Sequence, residues 1–250
     1  MKERQISLKR RTIFLTLVAL LVATLSMSPI ISAGHNAEAF NAWADSLVRS
    51  PDDPPYYSLH YRLRTLYFDV DPSPAQPVVF LGDSITYGGD WAGLFPDSPV
   101  ENRGIGGDST AGLLRRLEQV LALQPSRIFL MIGTNDLCYN RPIPKIMENY
   151  RRILSRFHDE LPGTQVYVQS VLPFNDTLFP ARGLRTNEQI KKLNSQIKSL
   201  AAEFGYPYVD LTPKFTGRDG RLPAEYTSDG LHLSDKAYLV WREQIKNLVK

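Results

Sequence analysis

Four short stretches of the 250-residue chain carry side chains whose types and spacing suit acyl transfer. Gly82-Asp83-Ser84-Ile85-Thr86 places a serine directly after the apolar run Val78 to Leu81. Asn102-Arg103-Gly104-Ile105-Gly106-Gly107-Asp108 and Gly133-Thr134-Asn135-Asp136 follow two later extended stretches. Asp229-Gly230-Leu231-His232 precedes the last helical pattern. A serine hydroxyl is a poor nucleophile until a base takes its proton. His232 suits that task because imidazole titrates near neutrality. Asp229, three residues earlier on the same loop, is placed to hold the imidazole tautomer and stabilise the imidazolium. Each stretch also has a plain reading. A serine after a strand caps a helix, glycine-rich and G-T-N-D segments make turns, and the D-x-x-H spacing is common at helix starts. The glycine run is neither a P-loop nor a full G-x-G-x-x-G. Ser84 is not set in G-x-S-x-G, which disfavours the α/β-hydrolase elbow.

Position turns these weak pieces into a set. Buried strands are expected at Val78 to Leu81, Pro99 to Glu101, Arg127 to Ile132, Gln165 to Leu172 and Tyr206 to Leu211. Helices are expected between them. Thr110 to Leu123 and Pro144 to Leu161 have helical spacing. Thr186 to Phe204 opens with a Thr186–Gln189 capping box, and Ser234 caps a last helix. Alternation of buried strands and helices predicts a parallel sheet with helices on both faces. Sites in such sheets form on the loops that leave the carboxyl ends of the strands. The first three stretches fall on such loops, and the fourth just before the last helix.

In this order the four stretches resemble the blocks of the GDSL, or SGNH, esterase family: G-D-S at Ser84, the glycine at Gly107, G-T-N-D at Asn135, and D-x-x-H at Asp229 and His232. The resemblance covers about residues 78–245, and G-I-G-G-D-S-T is similar to the platelet-activating-factor acetylhydrolase branch. It implies an α/β fold of the flavodoxin-like SGNH type, a three-layer α/β/α sandwich on a five-stranded parallel sheet. It also implies a carboxylester hydrolase with Ser84, Asp229 and His232 as catalytic residues. The oxyanion donors it implies are the backbone N–H of Ser84, the backbone N–H of Gly107 and the side-chain amide of Asn135. No metal and no cofactor is implied. A small acyl ester is expected as substrate, such as acetyl on a carbohydrate, ahead of a lysophospholipid or thioester. The absence of a lid-like apolar insertion disfavours long lipids. A catalytically inactive carbohydrate-binding protein on this fold is the alternative from another class, and the intact set of five residues argues against it. Phe174, Phe179 and Arg182, in the loop 173–185, are read as surface packing rather than substrate contacts.

The rest of the chain bounds this reading. Lys2, Arg4, Lys9, Arg10 and Arg11 form a basic head, an uncharged run follows from Thr12 to Gly34, and Ala33 and Ala39 are candidate cleavage points. This is the layout of a secretory signal peptide over 1–33, which predicts export to the periplasm or medium. The run is also long enough to serve as a membrane anchor through residues 12–34 if uncleaved. Residues 1–33 carry a net +4 of the chain's +3, so the remainder is close to neutral at −1. The basic pI is thus no sign of nucleic-acid binding, and neither a basic stripe nor a motif suggests a nucleic-acid partner. Residues 34–77 read as an N-terminal extension, with a short aromatic-rich helix from Tyr57 to Phe68, ahead of a domain over 78–250. The single cysteine, Cys138, reads as a small apolar residue. His35, His60 and His158 are poorer bases than His232: the first lies near the cleavage region, the second in the extension, the third on a charged helix face.

Overall fold

The computed structural model describes residues 54–71, 73–179 and 183–250. The targeting segment, the residues after it up to 53, and Arg182 lie outside the described residues. Five strands, all parallel, form one sheet in the order β2-β1-β3-β4-β5. They are β1 (Val78–Gly82), β2 (Val100–Gly104), β3 (Arg127–Met131), β4 (Gln165–Gln169) and β5 (Tyr208–Val209). In chain order the α-helices are α1 (Leu59–Val70), α2 (Ser84–Tyr87), α3 (Trp91–Leu94), α4 (Thr110–Arg115), α5 (Leu117–Leu121), α6 (Thr134–Cys138), α7 (Ile143–Glu160), α8 (Asn187–Glu203), α9 (Thr212–Phe215) and α10 (Asp235–Val249).

Successive strand residues face opposite sides, so each strand feeds two layers. Phe80, Phe129 and Tyr167 are in register across β1, β3 and β4 and share one face. There Phe80 stacks on Trp91 of α3 at 3.9 Å, and Trp91 meets Trp241 of α10 edge-on at 4.9 Å. The alternate residues Val79, Leu81, Ile128, Leu130, Val166 and Val168, all buried, point to the other face. On that side α7 packs with α4, α5 and α8. The result is the expected three-layer α/β/α sandwich on a five-stranded parallel sheet.

The boundaries differ from the expected ones for tertiary reasons. β2 runs to Gly104 rather than stopping at Glu101, although Glu101, Asn102 and Arg103 are polar. Arg103 is buried because it has partners: Ser73 Oγ at 2.5 Å, Glu101 at 3.4 Å and the Phe68 ring at 4.4 Å. β4 ends at Gln169 instead of Leu172. The Asn194 side chain takes both the N–H and the carbonyl of Val171, each at 2.8 Å, in place of a neighbouring strand. β5, at the sheet edge, keeps only Tyr208 and Val209. The helix expected over Thr110 to Leu123 is broken at Arg116, whose φ is −110° and ψ 12°. That guanidinium is buried and bonds Asp108 and the Gly82 carbonyl, so the backbone bends to deliver it. Ser234 occupies the N-cap of α10 without capping it, since its hydroxyl donates to the Glu225 carbonyl at 3.4 Å. The Thr186–Gln189 capping box of α8 forms in full. The aromatic helix forms as α1, capped by Ser58. Its buried residues Tyr61 and Phe68 join Tyr56 and Ile105 in a second apolar cluster.

Candidate active site

The strand register levels the site. Gly82 stands opposite Gly104 on one side and Met131 on the other. The loops bearing Ser84, Gly107 and Asn135 therefore leave the sheet side by side. Ser84 is the first residue of α2, and Asp83 caps that helix by accepting the Ile85 N–H at 3.0 Å. The turn from β1 into α2 drives α2 onto β2. A Cβ on Gly104 would collide with the Tyr87 backbone, so only glycine lets the two meet.

His232 arrives from the other end of the chain. Its Nε2 lies 3.0 Å from Ser84 Oγ, and its Nδ1 lies 2.5 Å from Asp229 Oδ2. Asp229 Oδ1 accepts the N–H groups of Leu231 and His232, both at 2.8 Å, and the Thr227 hydroxyl at 3.3 Å. Partial burial pushes the Asp229 carboxyl up, but the His232 ring and the two backbone N–H groups outweigh it and leave it below the ordinary carboxylate range. The carboxylate therefore stays ionised and fixes the proton of His232 on Nδ1, which leaves Nε2 free to accept from Ser84. The relay is open to solvent, with the His232 and Asp229 side chains 49% and 43% exposed.

Gly107 has a φ of +74°, a left-handed conformation that a side chain would strain. Its carbonyl accepts the Tyr139 hydroxyl at 2.8 Å. Asn135 is buried on α6, and its Nδ2 donates one hydrogen to the Asp108 carbonyl at 2.9 Å, which orients the amide and leaves its second hydrogen without a partner among the described residues. All five residues expected from the sequence thus lie on the carboxyl-end loops or on the loop that His232 brings to them. Donors on neighbouring loops beside an activated hydroxyl can stabilise the anion formed when that hydroxyl attacks a carbonyl.

Sequence reasoning passed over the charged residues beneath the site. Asp108 accepts the Ser109 N–H at 2.8 Å and Arg116 Nε at 2.8 Å, and Arg116 reaches the Gly82 carbonyl at 3.1 Å. Asp136 accepts the N–H and hydroxyl of Thr110 at 2.8 and 2.6 Å, and Asn149 donates to that hydroxyl. These bonds lace the Gly107 and Asn135 loops to each other and to β1. Burial pushes the Asp108 carboxyl up to about 6 against the pull of Arg116. It pushes Asp83 up to about 7, with the Ile85 N–H opposing. The available signal was their place inside the motifs, next to Ser84, Gly107 and Asn135. Of the loop aromatics, Phe174 is buried and Phe179 half-buried. The Arg185 guanidinium lies 5.5 and 5.4 Å from their rings and donates to Thr134 Oγ1. Cys138 is half-buried at the end of α6. Among the described residues, no group of three or more His, Cys, Asp or Glu side chains is placed to hold a metal ion.

The chain has relatives among known proteins. Residues 80–240 match the model of the GDSL-like Lipase/Acylhydrolase family. The chain is 31% identical over 195 residues to platelet-activating factor acetylhydrolase IB subunit alpha1 of Rattus norvegicus, which covers 73% of this chain and 77% of that one. The Homo sapiens counterpart is 30% identical over 73% of this chain and 78% of its own. Among solved structures, a Streptococcus pneumonia protein described as a platelet activating factor superposes with a TM-score of 0.70 at 27% identity, over 85% of this chain and 96% of that one. A GDSL-like lipase from Bacteroides thetaiotaomicron VPI-5482 superposes at 0.66 with 26% identity, over 76% and 96%.

Proposed function

This chain belongs to the GDSL-like lipase/acylhydrolase family of ester-bond hydrolases, and on that premise we propose that it is an exported serine carboxylester hydrolase that removes small acyl groups, acetyl first, from carbohydrate alcohols. The observation that carries the mechanism is the unbroken relay from Ser84 Oγ through His232 to Asp229, at 3.0 and 2.5 Å. Ser84 attacks the acyl carbon as His232 Nε2 takes its proton. The oxyanion is met by the N–H groups of Ser84 and Gly107 and by the second amide hydrogen of Asn135. Collapse breaks the ester bond, and His232 returns the proton to the departing alcohol. Water, activated by His232 in the same way, then releases the acid from the acyl-serine.

Three observations support the substrate class. The relatives are named for acetyl removal. The relay is half-exposed rather than enclosed, which suits an acyl group carried on a bulky polar alcohol. Among the described residues, no lid-like apolar insertion interrupts the domain. The basic head and uncharged run of residues 1–33 support export. A second reading, an acyl ester on a lipid alcohol, is favoured by Leu178 and Leu184, 43% and 60% exposed. Leu178 lies three residues after Asn175, whose N–H bonds the Gly230 carbonyl two residues before His232.

Hydrolysis of p-nitrophenyl esters from acetate to decanoate, by the protein and its Ser84→Ala variant, tests both. Acetate cleavage that falls with chain length and vanishes in the variant supports the first reading. Rates that rise with chain length support the second. Equal rates in the two proteins refute Ser84 as the nucleophile.

A further inference from the structure

Helix α1 lies outside the family-matched residues 80–240, yet its side chains reach the loops that form the site. Arg64 Nη2 donates to the carbonyls of Asn102 and Gly104 at 3.1 and 3.5 Å. The Asn102 amide in turn donates to the carbonyls of Tyr87 and Gly89 at 2.9 and 3.0 Å, and its oxygen accepts the Gly104 N–H at 2.9 Å. Tyr61 donates its hydroxyl to the Gly112 carbonyl at 2.7 Å. His60 is the residue before Tyr61 and lies one turn from Arg64.

The His60 imidazole touches both arms of the site. It meets the ring of Tyr87, the last residue of α2, edge-on with centroids 5.1 Å apart. On its other side it packs on Gly106. A methyl group built there would stand 3.3 Å from His60 Cδ2 and 3.4 Å from Nε2. The φ of Gly106 is not left-handed. A side chain there would therefore press on the imidazole. His60 Nε2 is buried and has no hydrogen-bond partner among the described residues, which carries an energetic cost that a solvent-facing ring avoids. Burial, and then the Arg64 charge, hold the ring below the ordinary histidine range and so keep it neutral.

We propose that α1 is a positioning element of the active site, with His60 wedged between the nucleophile's helix and the glycine turn so that Ser84 and the Gly107 N–H keep a fixed separation. An oxyanion donor contributes only if it is held in place before charge develops. The two groups sit on separate loops, which the His60 contacts bridge, while the Asn102 amide ties the end of α2 to β2. The inference rests on the reading of Ser84 and Gly107 as the reacting centre.

The test is steady-state cleavage of p-nitrophenyl acetate together with phosphorylation of Ser84 by diethyl p-nitrophenyl phosphate, followed as p-nitrophenolate release in the full chain. His60→Ala is expected to lower kcat about ten-fold with KM within about two-fold, and to slow phosphorylation by a similar factor. His60→Phe keeps the ring contacts and is expected to recover most of both rates, which covers the case of an alanine variant that does not fold. Gly106→Ala, which crowds the ring, is expected to lower kcat less when His60 is alanine than when it is histidine. A raised KM with unchanged kcat in His60→Ala would make His60 a substrate contact and overturn the proposal. Wild-type rates in both His60→Ala and Gly106→Ala would also overturn it. Wild-type protein that is not phosphorylated on Ser84 would instead refute the reading of the centre, a result distinct from variants that react as fast as wild type.

Discussion

Replacing Asp229 by asparagine tests the relay through its hydrogen-bond directions. Asp229 Oδ1 accepts two backbone N–H groups, both at 2.8 Å, while Oδ2 faces His232 Nδ1 at 2.5 Å. An asparagine has one acceptor oxygen, and the two N–H donors require it on their side. Its NH₂ group must then face Nδ1, which becomes the acceptor, so the imidazole proton moves to Nε2. That nitrogen lies 3.0 Å from Ser84 Oγ and, once protonated, no longer accepts the serine proton. In buried triads this change costs about 10⁴ in turnover. Here the Asp229 side chain is 43% exposed, so water screens part of the effect. The expected loss in kcat is roughly 10²–10³, or about 3–4 kcal/mol of barrier. Asp229→Ala makes a sharper comparison, because water can fill the space and accept from Nδ1 without imposing the wrong tautomer. It should therefore lose less than Asp229→Asn, about 10- to 100-fold. The assay is p-nitrophenyl acetate hydrolysis at saturating substrate. An asparagine variant more active than the alanine variant would refute the tautomer argument. An asparagine variant as active as wild type would remove Asp229 from the mechanism.

Two further outcomes are expected. Asn135→Ala removes one oxyanion donor and should lower kcat roughly 10²–10³-fold with little change in KM. An unchanged rate in the same assay would refute its role. Asp83 is buried, and its carboxyl is pushed up to about 7 in the folded protein, against about 3.9 for an unfolded aspartate. The folded state thus holds a proton that the unfolded state releases. Its stabilising effect is complete below about pH 4 and is lost as pH rises to about 7. Asp83→Asn keeps an acceptor for the Ile85 N–H and has no such proton. Between pH 5 and 8 wild type should lose roughly 2–3 kcal/mol of stability that the variant keeps. Urea titrations at the two pH values read this directly, and parallel losses in the two proteins would refute the burial argument.

The legible parts of the fold were those where sequence pattern and tertiary role coincide. β1 and β3 are apolar because both faces are covered, and α8 announces its start through Thr186 and Gln189. β2 reads short in sequence because Glu101, Asn102 and Arg103 look like a loop until Ser73 and Phe68 are brought to Arg103. The break at Arg116 has no local signal at all, since its cause is the pairing with Asp108 and the Gly82 carbonyl. The same division runs through the site. Ser84, Gly107, Asn135, Asp229 and His232 were legible as reactive types on strand-end loops. Asp108 and Asp136 sat in plain view inside the motifs, but their task is to join one loop to another, and periodicity does not report cross-loop bonds. His60 carries no signal in sequence because it lies in the extension, and its contacts with Tyr87 and Gly106 exist only once α1 is folded onto the domain.

Strand order explains why this chain builds its site above β1. From β1 the chain crosses to β2 on one side, returns past β1 and continues to β3 on the other. The loops after β1 and β3 thus diverge and open a crevice at the point of reversal. Ser84 stands in that crevice, with the Gly107 and Asn135 loops rising from the two strands that flank β1. The oxyanion donors are consequently set by the sheet register itself, backed by the Asp108 and Asp136 bonds. The base is set differently. His232 lies 148 residues from Ser84 in sequence, on a loop that the sheet does not hold. What registers it is the helix that follows, where Tyr238 of α10 donates to the Ile85 carbonyl of α2 at 2.7 Å. Asn175, through the Gly230 carbonyl, fixes the loop from the other side. The donors and the nucleophile therefore share one rigid frame, and the base is docked onto that frame through a few long-range bonds. Geometry between Ser84 and His232 depends on those bonds, whereas geometry between Ser84 and its donors depends on the sheet register, the Asp108 and Asp136 bonds and the packing of His60 against Tyr87 and Gly106.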